Sequence, residues 1–384
     1  AGINIVYRNV KEVSWVNMLK LRFSVGTSGS QHFNAYQAIQ TYRYFLDDKY
    51  YAWNGSSLIA MGNPDLKWQQ KRDYNIGLDV KLWDNRITIG GDFYIAKTND
   101  LISTLTLPAA NGFTTYIENI GSLKNTGYEL RLSAYVLRKD QMSWSVSLAG
   151  IHNKNKIVEV SQALLDAQNA IESEDLVNPN VQFRPGYSSN TIWTVRSAGI
   201  DPGTGKEVFI SRDGNRTYNW NASDIVATGV SDPKLEGNIS SMFRYKGLSL
   251  NVSFGYRFGG QIYNSTLANK VEVSKTAIGW NVDARVFHDR WKNIGDQASF
   301  KGLDDFTPTN KTSRFVQDET TFRCQNMTLQ YELKSQALNK LLGIDYCLFS
   351  ASTSDLFYIS TVKRERGTSY PFSRQFSLGV NVVF

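Results

Sequence analysis

The sequence predicts an all-β fold: a transmembrane antiparallel β-barrel wall of about ten strands with long extracellular loops. Three observations lead there. Apolar and polar residues alternate with period two in one segment after another. Short and long connections between those segments strictly alternate, and aromatic residues, 13% of the chain, collect near the segment ends. Such alternation gives each strand one apolar face and one polar face. Mean hydropathy is −0.34, and no stretch approaches the roughly 18 uncharged apolar residues of a spanning helix. A membrane barrel shows no hydropathy peak, because lipid-facing residues alternate with lumen-facing ones.

The strands follow in order. Leu19, Leu21, Phe23 and Val25 alternate with Lys20, Arg22, Ser24 and Gly26. Tyr74, Ile76, Leu78, Val80 and Leu82 alternate with Asn75, Gly77, Asp79 and Lys81. After the short link "WDN", Ile87, Ile89, Gly91, Phe93 and Ile95 alternate with Thr88, Gly90, Asp92 and Tyr94. Tyr128, Leu130, Leu132, Ala134 and Val136 form the next, joined through "RKDQ" to "SWSVSLAG". "NISSMFRY" turns through Lys246 and Gly247 into "LSLNVSFGYRF". "CQNMTLQYEL" passes through "KSQALNKLLG" into "IDYCLFSASTSDLFYIS", and the last strand runs from Phe376 to Phe384.

Connections after residues 82, 137, 245 and 333 are short. Those at about 27–71, 97–126, 152–236, 259–321 and 362–374 are long. Short periplasmic turns opposite long extracellular loops are the pattern of an outer-membrane barrel. Tyr74, Trp83, Tyr94, Tyr128, Trp144, Tyr245, Tyr256 and Tyr331 fall near strand ends, where aromatic belts sit. Asp79, Lys81, Asp92, Glu129, Arg131 and Arg257 lie on the polar faces and predict a wide, wet lumen. Ten strands are too few to close such a barrel, and an open edge in lipid leaves backbone groups unpaired. The chain is therefore expected to pair with strands that it does not contain.

The segments "GNPDLKWQQKRDYNIGLDVKLWDNRITIGGDFYIAKTNDLI", "NIGSLKNTGYELRL", "NKNKIVEV", "AGIDPGTGKEVF", "RYKGLSLNVSF", "SDLFYIS" and "FSLGVNVVF" occur in that order. Together they resemble the landmarks of the SusC/RagA group of TonB-dependent outer-membrane transporters, and "LKLRFSVGTSGSQ" resembles the segment before the first of them. The likeness covers essentially the whole chain. It implies a plugged barrel of roughly 22 strands, of which residues 1–384 would be the C-terminal portion, with "INIVYR" as the tail of the preceding strand. The family's signal peptide, carboxypeptidase-like extension, TonB box, plug and earlier strands are not in this sequence, so transport would belong to the complete protein.

The resemblance also implies the partners: the remaining strands and plug, a SusD-like surface lipoprotein as lid, TonB as energy source, the lipid bilayer, and an oligosaccharide or peptide cargo. The location implied is the outer membrane of a Gram-negative bacterium. The closing Phe384, after a five-residue apolar alternation, resembles the signal that barrel-assembly machinery recognises. A non-transporting barrel serving as adhesin or scaffold is the alternative, and a soluble carbohydrate-binding β-protein a third reading.

Other chemistry is poorly supported. The net charge of +7 comes without a basic run or nucleic-acid motif, so no nucleic-acid partner is expected. "GIDPGTGKEV" ends like a phosphate loop, but Gly199 is one residue too far from Gly205, Gly203 too close, and Glu207 replaces the required hydroxyl. His32, His152 and His288 have no ligand-like spacing, and no G-x-S-x-G elbow is present. Asp304 with Asp305, and Glu172 with Glu174, read as polar loop residues. "SRDGNRT" and the Asp201 loop lack the standard calcium spacing. No enzymatic activity, cofactor or metal is expected. Cys324 lies far from its connecting turn and Cys347 near it, so a disulfide between them is not expected.

Recognition falls to loops. Residues 36–55 carry seven rings, Tyr36, Tyr42, Tyr44, Phe45, Tyr50, Tyr51 and Trp53, which supply flat contact area at low entropic cost. They suit a sugar face, a lid protein or packing between loops. Trp193, Tyr218 and Trp220 in the 152–236 loop have the same three uses.

Overall fold

The computed structural model describes residues 2–8, 14–31, 38–106, 113, 115–172, 179–272, 279, 282–305, 307–365 and 374–384. In chain order the strands are β1 (Gly2–Arg8), β2 (Val16–Ser30), β3 (Thr41–Tyr50), β4 (Trp53–Ala60), β5 (Gln69–Leu82), β6 (Ile87–Thr106), β7 (Thr115–Lys139), β8 (Met142–Val160), β9 (Thr191–Ile200), β10 (Glu207–Ile210), β11 (Arg216–Thr217), β12 (Ile225–Val230), β13 (Leu235–Tyr245), β14 (Leu248–Tyr263), β15 (Val316–Leu333), β16 (Tyr346–Ser354), β17 (Tyr358–Ser360) and β18 (Phe376–Val383); α1 spans Gln162–Glu172 and α2 Gln336–Leu342.

Twelve strands form one antiparallel sheet in the order β1-β2-β5-β6-β7-β8-β13-β14-β15-β16-β18, with β17 continuing β16's place beside β15. Sequence neighbours pair throughout, so the wall is a meander in which β9–β12 and the β3–β4 hairpin are insertions. The predicted strand cores and short turns are all present. "INIVYR" pairs with β2 as its own strand, Ile5 facing Leu21.

Short turns set the register. Leu82 faces Ile87 across Trp83–Arg86, Lys139 faces Met142, and Tyr245 faces Leu248 across Lys246 and Gly247. Trp83, Asp84 and Asn85 each take positive φ, at 48°, 53° and 61°, which tightens the first turn without glycine. Trp15 stacks on Trp83 with ring centroids 5.9 Å apart at this end of the wall.

From these turns the alternation propagates through every ladder. Asn4, Arg22, Gly77, Asp92 and Glu129 stand in one register line, as do Asn238, Gly255 and Arg323. Leu21, Leu78, Gly91 and Leu130 lie on the opposite face. That apolar face is uncovered: Ile76 is 50% exposed, Phe93 46% and Leu378 87%. An apolar surface of this extent is untenable in water and is what a hydrocarbon environment covers.

Three expectations are corrected. The loop expected at 97–126 is mostly strand, because β6 and β7 run on to Thr106 and from Thr115. At 20 and 25 residues they exceed the 9–11 residues a bilayer requires, so the ladder projects beyond the membrane, with bulges near Thr98 and Leu101. The 152–236 connection carries α1 and a four-stranded sheet, β11-β10-β9-β12. The single strand expected across 344–360 is broken between β16 and β17, where Asp355 takes φ 50°.

Among the described residues β1 and β18 have no second neighbour, so the sheet has two edges. Cys324 is buried and Cys347 half-buried, and both are free thiols.

Candidate functional site

The polar face of β2, β5, β6 and β7 carries a lattice of opposite charges. Arg22 Nε lies 2.9 Å from Asp79 Oδ2, its Nη1 lies 2.9 Å from Asp92 Oδ1, and Arg131 Nη2 lies 2.6 Å from Asp92 Oδ2. Asp92, whose side chain is only 7% exposed, therefore sits between two guanidinium groups. Glycine makes the reach possible. Arg22 and Asp92 flank Gly77 in the register, and a Cβ on Gly77 would come within 2.6 Å of Arg22 Cζ and 2.5 Å of Asp92 Oδ1. Tyr94 similarly lies across Gly127, its hydroxyl donating to Asn153 Oδ1 at 3.1 Å. The sequence identified Asp79, Asp92 and Arg131 as lumen charges; Arg22 as the residue joining two of them needed the register.

The long-loop end is built as a second layer. Trp193, Val195, Phe209 and Ile225 form a buried cluster with Trp220 and Ala222 packed on it. The strand pair β9–β12 and the 312–315 segment meet through a parallel bridge between Val195 and Thr312, and Ser197 N–H donates to Ser313 Oγ at 3.0 Å. At the junction Arg314 takes Glu272 bidentately, at 2.7 and 3.1 Å, and Glu207 at 2.9 Å. These side chains are 10%, 0% and 5% exposed. Burial opposes the charge on Arg314, but the attraction and hydrogen bonds of the two glutamates outweigh it and raise its pKa. Burial pushes Lys301 down, against the attraction of Asp305 and the same two glutamates. Arg285 joins Asp283 and Glu365 at 2.7 and 2.8 Å, tying in the 361–365 segment.

The "GIDPGTGKEV" turn is organised around Asp201. Its carboxylate accepts from Gly203 N–H at 3.0 Å, Thr204 Oγ1 at 2.7 Å and Tyr218 Oη at 2.8 Å. Hydrogen bonds from Thr204, Tyr218 and the Gly203 backbone hold Asp201 below the usual carboxylate range. The turn therefore stabilises itself with the groups that a phosphate or cation site would present to a ligand.

The predicted ring residues separate into two places. Tyr42, Tyr44 and Trp53 lie on the β3–β4 hairpin and Tyr51 at its tip; Tyr51 is 88% and Trp53 79% exposed. Tyr50 pairs through its backbone with Trp53. In the loop layer Tyr218 is half-exposed on Asp201, and Trp220 packs on the cluster. Trp193 is only 5% exposed, with Tyr187 edge-on at 4.9 Å, and packs within the loop layer. Tyr36, His32 and Glu174 lie outside the described residues. His152 Nδ1 is 2.7 Å from Lys234 O. Among the described residues no group of three His, Cys, Asp or Glu side chains is arranged to hold a metal.

Comparison with known proteins gives a consistent result. The family described as "TonB dependent receptor-like, beta-barrel" matches residues 3–264. The chain is similar to the TonB-dependent receptor P39 of Formosa agariphila, 24% identical over 98% of this chain and 41% of that protein. It is also similar to the TonB-dependent receptor SusC of Bacteroides thetaiotaomicron, 26% identical over 98% of this chain and 38% of the other. Among solved structures the RagAB peptide importer in its "closed-closed" state superposes with a TM-score of 0.82 at 23% identity, over 99% of this chain and 43% of that one. The chain thus spans about two fifths of the length of these relatives.

Proposed function

The chain belongs to the TonB-dependent receptor-like β-barrel family, and from that premise we propose that it is the C-terminal wall and outer loop layer of an outer-membrane importer of nutrient oligomers. The carrying observation is the two-faced sheet, with an exposed, mostly apolar face on one side and the Arg22–Asp79–Asp92–Arg131 lattice on the other. Fixed charges of both signs keep such a passage wet and poorly adhesive. The cargo is a glycan oligomer or a peptide. RagAB, one solved structure with this fold, is a peptide importer.

In this reading the missing strands and plug close the barrel, TonB acts on the plug, and a SusD-like lipoprotein covers the long-loop end. The β3–β4 hairpin, with Tyr42, Tyr44, Tyr50, Tyr51 and Trp53, is the surface for lid or cargo, assisted by Tyr218 and Trp220. The support is the exposure of the Tyr42, Tyr44, Tyr51 and Trp53 rings, because exposed aromatic area of that size is characteristic of contact surfaces.

The test is growth and uptake in cells with and without the intact gene, together with purification of the complete protein. Import predicts loss of uptake of at least one oligomer class on deletion and co-purification of a surface lipoprotein. Unchanged uptake with no lipoprotein would favour an adhesin or scaffold.

A further inference from the structure

We infer that the lumen face between β13, β14, β15 and β17 is a subsite for a carboxylate carried by the imported oligomer, with Arg323 as the residue that selects it; this rests on the import reading above. A cavity of about 640 Å³ opens there, lined by Asn238, Arg323, Gln325 and Tyr358 and also by the carboxylates Glu236 and Glu319. The register places it toward the long loops, since Asn238 lies near the Leu235 end of β13 and Arg323 lies nearer Val316 than Leu333 on β15.

The neighbouring cations are engaged. Arg257 is 3.3 Å from Glu319 and donates to Ser231 O at 2.5 Å. Arg364 is 3.4 Å from Asp355 and lies over the Tyr358 ring at 5.4 Å. Glu236 stands opposite Arg257 in the register, a full strand away from Arg323. Arg323 faces Gly255 on one side and Tyr358 on the other. Its guanidinium makes no hydrogen bond or ion pair among the described residues.

The surroundings are suited to an anion with two planar acceptors. Gln325 lies over Gly255, where a Cβ would meet its Nε2 at 2.5 Å. The Gln325 Oε1 accepts from Ser253 Oγ at 3.3 Å, which turns the amide nitrogen toward the cavity as a donor. The Tyr358 hydroxyl is 3.5 Å from Thr321 Oγ1, long enough to redirect toward a ligand. A guanidinium fork beside an amide and a phenol donor matches a carboxylate, which accepts bidentately. A wall of low dielectric strengthens the attraction by focusing the field of an unneutralised charge.

The experiment uses the full-length transporter with its plug and lid. The probes are short Asp- and Glu-containing peptides with their amidated counterparts, and short oligogalacturonides with their methyl esters. The readout is the ratio of carboxylate to neutralised probe retained, measured by mass spectrometry. Wild type is expected to favour a carboxylate series by about tenfold or more, the scale of one charge-assisted pair. Arg323→Gln is expected to bring that ratio near one while leaving neutral-probe binding unchanged, and Arg323→Lys to keep part of it. A wild-type ratio near one, or an Arg323→Gln ratio equal to wild type, overturns the subsite. Equal loss of both probe types with a lowered unfolding midpoint also overturns it, because Arg323 would then be pairing with the protein's own plug. Uptake by cells lacking the whole gene separates the two claims. If deletion leaves uptake of every probe unchanged, the import reading fails. If uptake requires the gene but ignores Arg323, only the subsite fails.

Discussion

Asp92 concentrates the lumen electrostatics in one side chain. It accepts from Arg22 and Arg131 at once, almost out of solvent, so its removal leaves two like charges facing each other. Asp92→Ala should destabilise the complete barrel by about 1–3 kcal/mol, seen as a lower denaturant midpoint. The isosteric Asp92→Asn should cost less, and an unchanged midpoint in both would show the lattice to be inert. Gly77→Val should cost as much as Asp92→Ala, because the new Cβ occupies the space of the Arg22 guanidinium. Trp53 behaves oppositely. At 79% exposure its change to Ser should shift stability by no more than about 0.5 kcal/mol; under the proposed lid contact it should also reduce recovery of a surface lipoprotein in pull-downs. At this scale the sequence was informative about residue faces, because alternation assigns them directly. The "WDN" turn even carried the register that joins Gly77 to Asp92. What it could not show was an arginine crossing a glycine to a third strand, or a tryptophan such as Trp193 turned inward in a loop.

The elements of the outer layer are joined by a small apolar cluster and by buried ion pairs. Arg314 bridges Glu207 of β10 to Glu272 beyond β14, and removing it leaves two buried carboxylates unpaired. Arg314→Met should loosen that layer by about 3–5 kcal/mol and open residues 191–234 and 283–315 to protease, with the wall strands still protected. Uniform protection would contradict this. Asp201 gives the layer a pH signature. Its folded-state pKa is depressed, so its contribution is complete above the ordinary carboxylate range and is lost only as pH falls through the depressed value. Amide-exchange protection of residues 201–206 should therefore persist from neutral pH to about pH 4 and fall below it. Loss already near pH 5 would contradict the assignment. The wall strands were legible because each obeys a two-residue period against a uniform medium. The four-stranded sheet β9–β12 was not: its strands are short, and β9 is buried from Thr191 to Val195, so its apolar run does not alternate. The β6–β7 extension was missed because the alternation lapses there: Leu101 and Ile102 are consecutive, beside a break in the register.

On the scale of the whole molecule, the sheet is two-faced and, among the described residues, closed at neither edge. Each open edge would leave several unpaired backbone groups in hydrocarbon, at several kcal/mol apiece, so its completion by other strands follows from solvation alone. The matching share of the relatives' length agrees. Expressed without those strands, the chain should be recoverable only with detergent or denaturant. The most direct test is thiol labelling along β8 in intact outer membranes, on the full-length protein with Cys324 and Cys347 replaced by Ser. Cysteines at Ser145 and Ser147, on the face shared with Arg131 and Asn238, should react with a membrane-impermeant maleimide admitted to the lumen. Cysteines at Val146 and Leu148 should not. Reaction of all four positions, or of Val146 and Leu148 alone, would contradict a wall with lipid outside and water within.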